Sequence, residues 1–592
     1  MSNKNIWSML TLAPGQPRDT WRPTITGRNF AAACGHYLGT AAAVRILERG
    51  GNAVDAGVAA AMALAVLQSN VVSFAGVAPT LIYLRREERV VSLAGLGYWP
   101  AGTDYAALVK AGGKLVPEGV MRTVVPAAPA THIEALRRYG TISFEEAATP
   151  AYELAHHGFA MYPLLAYNID AVASGFDRYP ENARIFRPGG KTPQVGQVFR
   201  QTDLAKSIHT MIEAEKAARG DREAKLRAVH DCFYKGPIAE AIVDYHAREG
   251  GFMTRADLAG FEVPIEEPIT CRYRGIDVYS CDAWCQGIVL LETLKILEGV
   301  DLPGIEHNST RYIHTVAEAL NLAFSDREAY VSDPRFVDVP TGKLLSDAYG
   351  KFQLSRIADS RAFGEMPPPG DPSALEVAEM PEFMKIEPTR KPAPFVEKDT
   401  IYGCIVDREG NAYSCTPSDN ANDTPIIPGT GLAVSSRGNQ SRLVDGHPAQ
   451  VKAGKRPRLT PAPAMSTRDG KLFMAFGTPG GDMQMQAMLQ VFLNHVDFNM
   501  TVQGAIEAAR FGTFNFPISF VPHEYVPGRL CVENRVPEAV RKELARMGHA
   551  VENWPHLAPP AAGVCAIRNH RDDTGLLHAG ADPRREGYAM AW

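Results

Sequence analysis

The sequence predicts an α/β protein built in layers, and three observations carry that expectation. Short apolar strand candidates occur near the start and again in the last third, and runs with apolar residues at three-and-four spacing fill much of the region between. An alanine- and glycine-rich helical stretch follows the first strand, where small side chains let helix and sheet approach closely. With 592 residues, 45% of them apolar, the chain can bury a sizeable core, and layered structures of this size form one unit as readily as several.

In chain order, residues 30–34 read as a strand and residues 39–68 as a helical run, broken at Gly50-Gly51 and restarted after Asn52. Residues 80–84 and 90–94 form a hairpin around Arg85-Arg86-Glu87-Glu88. Helical spacing marks 132–139, 144–158, 204–219 and 312–330, interrupted by a strand over 276–280. Between 360 and 398 prolines and charges accumulate, beginning with Met366-Pro367-Pro368-Pro369-Gly370-Asp371-Pro372, and periodicity fades. A flexible linker is expected there, ending at Asp399-Thr400. Two hairpins follow, 401–407 with 411–416 and 465–467 with 472–476. The second leads into Gly477-Thr478-Pro479-Gly480-Gly481 and a helix over 482–494.

Composition excludes several function classes. A net charge of −5 and a pI near 6.4 give no footprint for nucleic acid or an anionic membrane, so a small-molecule partner is expected. The most apolar stretch, 56–67, is too short for a bilayer and reads as a buried helix. The first residues lack the pattern of a secretory signal, and a cytoplasmic location is the expectation. Nine scattered cysteines fit reduced thiols, with Cys281 and Cys285 as packed neighbours. The histidines, among them His36, His447 and His495, show no zinc spacing, so neither metal nor cofactor is expected.

The linker-to-strand junction carries the chemistry. A threonine hydroxyl is a weak nucleophile without a base beside it. Cleavage before Thr400 would supply one, because the new α-amine, with a pKa of about 7.7 to 8.0, lies within reach of its own Oγ. The Gly480-Gly481 turn complements it, since backbone N–H groups between a strand and a helix can hold an oxyanion without side-chain entropy.

These residues resemble the gamma-glutamyltransferases and their acylase relatives. The likeness is carried by Gly50-Gly51-Asn52-Ala53-Val54-Asp55-Ala56, Gly236-Pro237-Ile238-Ala239 and Asp326-Arg327-Glu328-Ala329-Tyr330. It continues through Gly454-Lys455-Arg456-Pro457, Thr478-Pro479-Gly480-Gly481 and Ala581-Asp582-Pro583-Arg584-Arg585, in order from about residue 28 to the C-terminus. The resemblance implies the αββα sandwich of N-terminal-nucleophile hydrolases. It also implies a precursor cut at Asp399-Thr400 into a large subunit, 1–399 (with the linker, 360–399), and a small catalytic subunit, 400–592. By position Thr400 matches the nucleophile, Ser418 the second hydroxyl, Gly480 and Gly481 the oxyanion turn, and Asn420 a substrate contact.

Departures from the family pattern concern the substrate. Ile401-Tyr402 replaces a small residue and histidine, no arginine stands in Gly95-Leu96-Gly97-Tyr98-Trp99-Pro100, no acid stands in 436–440, and Leu459-Thr460 replaces paired serines. Losing partners for both charges of a glutamyl head group costs about 1.5 to 3 kcal/mol for each charge-assisted hydrogen bond, so gamma-glutamyl peptides are poor candidates. Asn420, Arg437, Tyr402 and Thr460 are the expected substrate contacts, with Arg437 a bidentate grip for an anion. Trp99 and Trp284 are read as packing.

The sequence therefore predicts an autoprocessing hydrolase acting on a small amide through an acyl-enzyme on Thr400, with water as acceptor. Acyl transfer to an amine, true gamma-glutamyl transfer, carbon–carbon cleavage beside an activated carbonyl, and an unprocessed binding homologue stand as alternatives. Whether processed heterodimers assemble further is left open.

Overall fold

The computed structural model describes residues 20–389 and 400–592. Two seven-stranded sheets, antiparallel at every pairing, form its centre. Sheet I runs in spatial order Ile25–Gly27, Leu576–Ala581, Cys565–His570, Lys471–Gly477, Ala464–Arg468, Ile276–Ser280 and Ile269–Tyr273. Sheet II runs Tyr588–Ala591, Ala31–Cys34, Gly403–Val406, Ala412–Cys415, Thr80–Leu84, Arg89–Leu93 and Ile265–Glu266. Each sheet draws strands from both sides of residue 400, so neither portion of the chain can complete a sheet alone.

The sheets face each other and carry helices outside. Tyr37–Glu48 and Ala53–Leu67 cover sheet II, while Gly287–Leu297 and Met483–Val496 cover sheet I, which gives the αββα order of layers. All of Ala53–Leu67 is buried, which explains its small-residue composition: a Cβ on Gly57 would come within 2.1 Å of the Tyr413 ring. Asn52 starts this helix by accepting from Val54 N at 2.9 Å and Asp55 N at 3.0 Å, and Asp55 returns the bond to Asn52 N. Asp55 also accepts from Thr141 N at 2.8 Å, so the early Gly-Asn-Ala-Val-Asp-Ala motif is a helix start tied to the next layer.

The predicted strands and helices appear within a few residues of their expected bounds. The linker is where expectation and structure part. Residues 360–389 pack on the body: Met366 and Met384 are buried, Ser325 Oγ donates to Pro367 O at 2.6 Å, and Gly370 N donates to Asp326 Oδ1 at 2.9 Å. The Thr310–Tyr330 helix thus supplies a donor for Pro367 O and an acceptor for Gly370 N, and Gly370–Asp371 pairs with Glu376–Val377. The rest of the expected linker, including Asp399, lies outside the described residues.

Several charged side chains gather into buried knots in this fold. Glu328 receives Arg327 at 2.8 Å, Arg458 at 2.6 Å and Arg442 at 3.2 Å. Burial alone would raise its pKa, and these guanidiniums, Arg458 foremost, hold it well below the usual carboxylate range. Such knots position the layers between which the Thr400 region lies.

Candidate active site

Thr400 stands at the entry to the Gly403–Val406 strand, and register places its neighbour. Gly403 pairs with Cys415 across to Ala412–Cys415; carried three residues further, that antiparallel register sets Thr400 opposite Ser418. Ile401 N donates to Pro417 O at 3.0 Å, which keeps the two segments aligned beyond the regular strands, and Ser418 N donates to Val77 O at 3.0 Å on its other side. Side chains alternate along the strand, so Thr400 shares a face with Tyr402 and Cys404, towards sheet I, while Ile401 and Ile405 face the outer helices.

The Thr400 and Ser418 hydroxyl oxygens lie 2.7 Å apart and share a hydrogen bond. Arg437 Nη2 donates to Ser418 Oγ, which leaves the Ser418 proton free to donate to Thr400 Oγ1. Gln484 Nε2 approaches Thr400 Oγ1 at 3.3 Å. Thr400 N–H donates to Val71 O at 3.0 Å, and Thr400 has φ of +76°. A β-branched residue in that region is strained, by about 1 to 3 kcal/mol.

Gln484 belongs to the first turn of Met483–Val496, directly after the Gly480-Gly481 turn, and so links that turn to Thr400. Gly480 and Gly481 have φ of +125° and +56°, which a side chain would resist. Their carbonyls accept from Met483 N and Gln484 N. Among the described residues neither glycine's N–H has a partner. Thr478 Oγ1 accepts from Gly563 N at 2.9 Å and pins the strand end that precedes the turn.

Arg437 is fully buried, stacked 5.4 Å over the Phe520 ring. Its Nε lies 4.0 Å from Asp419 Oδ2. Asp419 Oδ1 accepts from Ser436 N at 2.7 Å, Ser436 Oγ at 2.6 Å and Asn420 N at 2.9 Å, while burial raises its pKa. Among the described residues Arg437 Nε and Nη1, Asp419 Oδ2, Asn420 Oδ1 and Asn439 Oδ1 are buried without hydrogen-bond partners. Buried polar atoms are nearly always paired, so this cluster beside a hydroxyl pair calls for polar partners such as ordered water or a ligand.

Other expected contacts sit differently. Tyr402 does not reach this cluster. Its hydroxyl bonds Ser414 Oγ at 2.6 Å and its ring fills the inter-sheet core over Gly477, where a Cβ would meet it at 2.3 Å. The expectation of a substrate contact there is corrected: the phenol is held by Ser414 of its own sheet while its ring packs on Gly477 of the facing sheet. Thr460 Oγ1 accepts from Gln440 Nε2 at 2.7 Å, and Gln286 Nε2 donates both to Thr460 O at 3.1 Å and to Gly481 O at 2.9 Å. Thr460 thus braces the glycine turn. Trp99 and Trp284 are packed as expected, with Trp99 Nε1 donating to Ser441 Oγ at 3.0 Å and its ring lying where a Cβ on Gly438 would stand.

Sequence reasoning missed Gln484 and Asp419. Gln484 carried a signal, being polar in a first helical turn that follows a glycine turn. Asp419, next to Ser418, is an acid brought to Arg437 from outside the 436–440 segment in which one was sought.

Comparison with known proteins agrees with this architecture. The Gamma-glutamyltranspeptidase family model matches residues 39–592. The Acylase ACY 1 proenzyme of Pseudomonas sp. (strain SE83) is 31% identical, covering 96% of this chain and 94% of its own. The Glutathione hydrolase-like YwrD proenzyme of Bacillus subtilis (strain 168) is 30% identical, covering 96% and 99%. The crystal structure of cephalosporin acylase from Bacillus halodurans superposes with a TM-score of 0.82 at 28% identity, over 98% of this chain and 99% of that one. With its two facing sheets and outer helices, the chain belongs to the gamma-glutamyltranspeptidase family of N-terminal-nucleophile hydrolases.

Proposed function

We propose that the chain is a proenzyme that cleaves itself between Asp399 and Thr400, and that Thr400 then hydrolyses a small amide through an acyl-enzyme. The observation that carries this reading is the Thr400 environment: a hydroxyl 2.7 Å from Ser418, strained backbone at φ +76°, and Gln484 joining it to the glycine turn. Relief of that strain favours cleavage at this bond. The freed α-amine then serves as base for Thr400 Oγ, the Gly480 and Gly481 N–H groups receive the oxyanion, and water releases the acid. Proenzyme relatives support the division into a 1–399 large and a 400–592 small subunit.

The acyl group in this reading carries an anion. Arg437 has unpaired Nε and Nη1 donors, Trp99 occupies the segment where a glutamyl-binding arginine is expected, and Gln440 stands without an acid. Together these favour acylase chemistry over gamma-glutamyl transfer.

Intact mass spectrometry of purified protein tests the proposal. A fragment matching residues 400–592 is expected, and Thr400→Ala should leave one chain with no turnover. A Thr400→Ala protein that still splits at this bond, or retains amidase activity, would sink it.

A further inference from the structure

Far from Thr400 in sequence and in bonding, three side chains meet in the interior. His314 and Glu318 lie one turn apart on the Thr310–Tyr330 helix, and His549 lies between the Glu538–Arg546 helix and the Ala550–Trp554 strand. They are 1%, 1% and 6% exposed, and one ligand atom from each lies within 4.8 Å of the others.

Proton accounting shows what this cluster lacks. His314 Nε2 is 2.7 Å from Ala358 O, and a carbonyl only accepts, so Nε2 carries the proton and Nδ1 is bare. His314 Nδ1, 2.9 Å from His549 Nε2, must accept from it. His549 Nδ1 is then bare as well and faces Glu318 Oε1 at 3.8 Å. Glu318 already accepts from Asn321 Nδ2 at 3.0 Å and Phe363 N at 2.9 Å. With Glu318 ionised, lone pairs of an imidazole and a carboxylate thus confront each other with no donor between them.

The surroundings resemble the outer ring of a metal centre. A metal-bound histidine ordinarily gives its other ring N–H to a carbonyl, as His314 does to Ala358, and a ligating carboxylate is itself hydrogen-bonded. Asn321, which holds Glu318, is held in turn by Thr513 Oγ1 at 2.6 Å. Two nitrogens on a tetrahedral zinc, at Zn–N of about 2.0 to 2.1 Å, stand about 3.3 Å apart, so the 2.9 Å pair needs a shift of only a few tenths of an ångström.

We propose that His314, Glu318 and His549 form a binding site for a zinc-class divalent transition metal. Metal entry moves the His549 proton from Nε2 to Nδ1, on the side of Glu318, so that both imidazoles bind as neutral ligands, and water or the second Glu318 oxygen completes four-coordination. The site joins a helix before residue 400 to a turn after it, and so ties the two portions of the chain together whether or not the intervening bond is cut.

Full-length protein stripped with chelator and dialysed is titrated with Zn(II) alone and, separately, with Co(II). Wild type should take up one Zn(II) per chain, gain thermal stability that chelator reverses, and give the intense visible absorption of four-coordinate Co(II). His549→Gln should weaken uptake by about 100-fold or more, since even outer-ring changes cost about 10- to 100-fold. A variant with both exposed histidines His156 and His157 changed to alanine should behave as wild type. Folded wild type that takes up no metal overturns the site, as does uptake unaltered in a folded His549→Gln protein.

Discussion

Two buried arginines carry the same charge into opposite surroundings. Arg584 donates from Nε to Glu533 at 2.7 Å and from Nη2 to Glu533 at 2.8 Å and Ala508 O at 2.9 Å. Its Nη1 reaches Ile506 O at 3.0 Å and Asp582 at 3.1 Å. Arg437 is at least as buried, yet among the described residues its Nη2 bonds Ser418 while Nε and Nη1 have no hydrogen-bond partner, Asp419 Oδ2 standing 4.0 Å from Nε. Taking a guanidinium out of water costs several kcal/mol unless its donors are satisfied. The first arginine is satisfied by its own fold. The second keeps donors that the fold leaves without hydrogen-bond acceptors, and under the proposed function these donors serve the substrate.

The largest expected effect lies on the framework side. Arg584→Met leaves Glu533 without its two-pronged partner and should cost about 3 to 5 kcal/mol, read as a lower urea midpoint. Acid should break the same knot. Burial raises the Glu533 pKa, but Arg584, Arg535 and Arg510 outweigh it and bring the value to about 2, from an ordinary 4.5. Because the folded value lies below the unfolded one, the stabilisation is complete above about pH 4.5 and fades as pH falls toward 2. It amounts to about 3 kcal/mol. Asp333 behaves alike: burial raises it, Arg335 and Arg456 prevail, and it too rests at about 2. Thermal melts from pH 6 to pH 3 should therefore show a steep loss of stability in the acid range, blunted in Arg584→Met.

The contrast also explains what the sequence could reveal. Strand and helix bounds were legible because they follow local periodicity and caps, as with Asn52 and Asp55. Ser418 came from the family resemblance and lies 2.7 Å from Thr400, and the glycine turn has the φ that glycine accepts easily; the roles of these residues belong to the proposed function. Tyr402 was misplaced because strand alternation decides which sheet face it joins, and the partner across that face, Ser414, acts through the pleat and not through the motif. Residues 360–389 were misjudged because their partners, Ser325, Asp326 and Tyr525, lie on distant segments. The His314–His549 contact spans 235 positions, beyond any spacing rule.

A smaller effect tests the glycine turn. Gly480→Ala forces a side chain onto φ +125° and towards Ala562, whose Cβ would stand 3.1 Å away. If its N–H receives the oxyanion, kcat should fall by about 100- to 1,000-fold with little change in KM. A fall in stability with kcat intact would return the turn to the framework.

The smallest structural effect should accompany the sharpest functional one, at Arg437. Arg437→Met removes a guanidinium that bonds Ser418 and stands 4.0 Å from Asp419, but Asp419 keeps three donors on Oδ1, so stability should fall by less than in Arg584→Met. Because Arg437 also touches Ser418, processing and chemistry could both slow, and the informative quantity is a ratio. Turnover of an amide whose acyl group bears a carboxylate, divided by turnover of a neutral analogue of equal length, cancels any shared loss. That ratio should drop by about 10- to 100-fold, equivalent to about 1.5 to 3 kcal/mol for a charge-assisted hydrogen bond. An unchanged ratio, with stability lowered as far as in Arg584→Met, would make Arg437 a second framework arginine and erase the distinction.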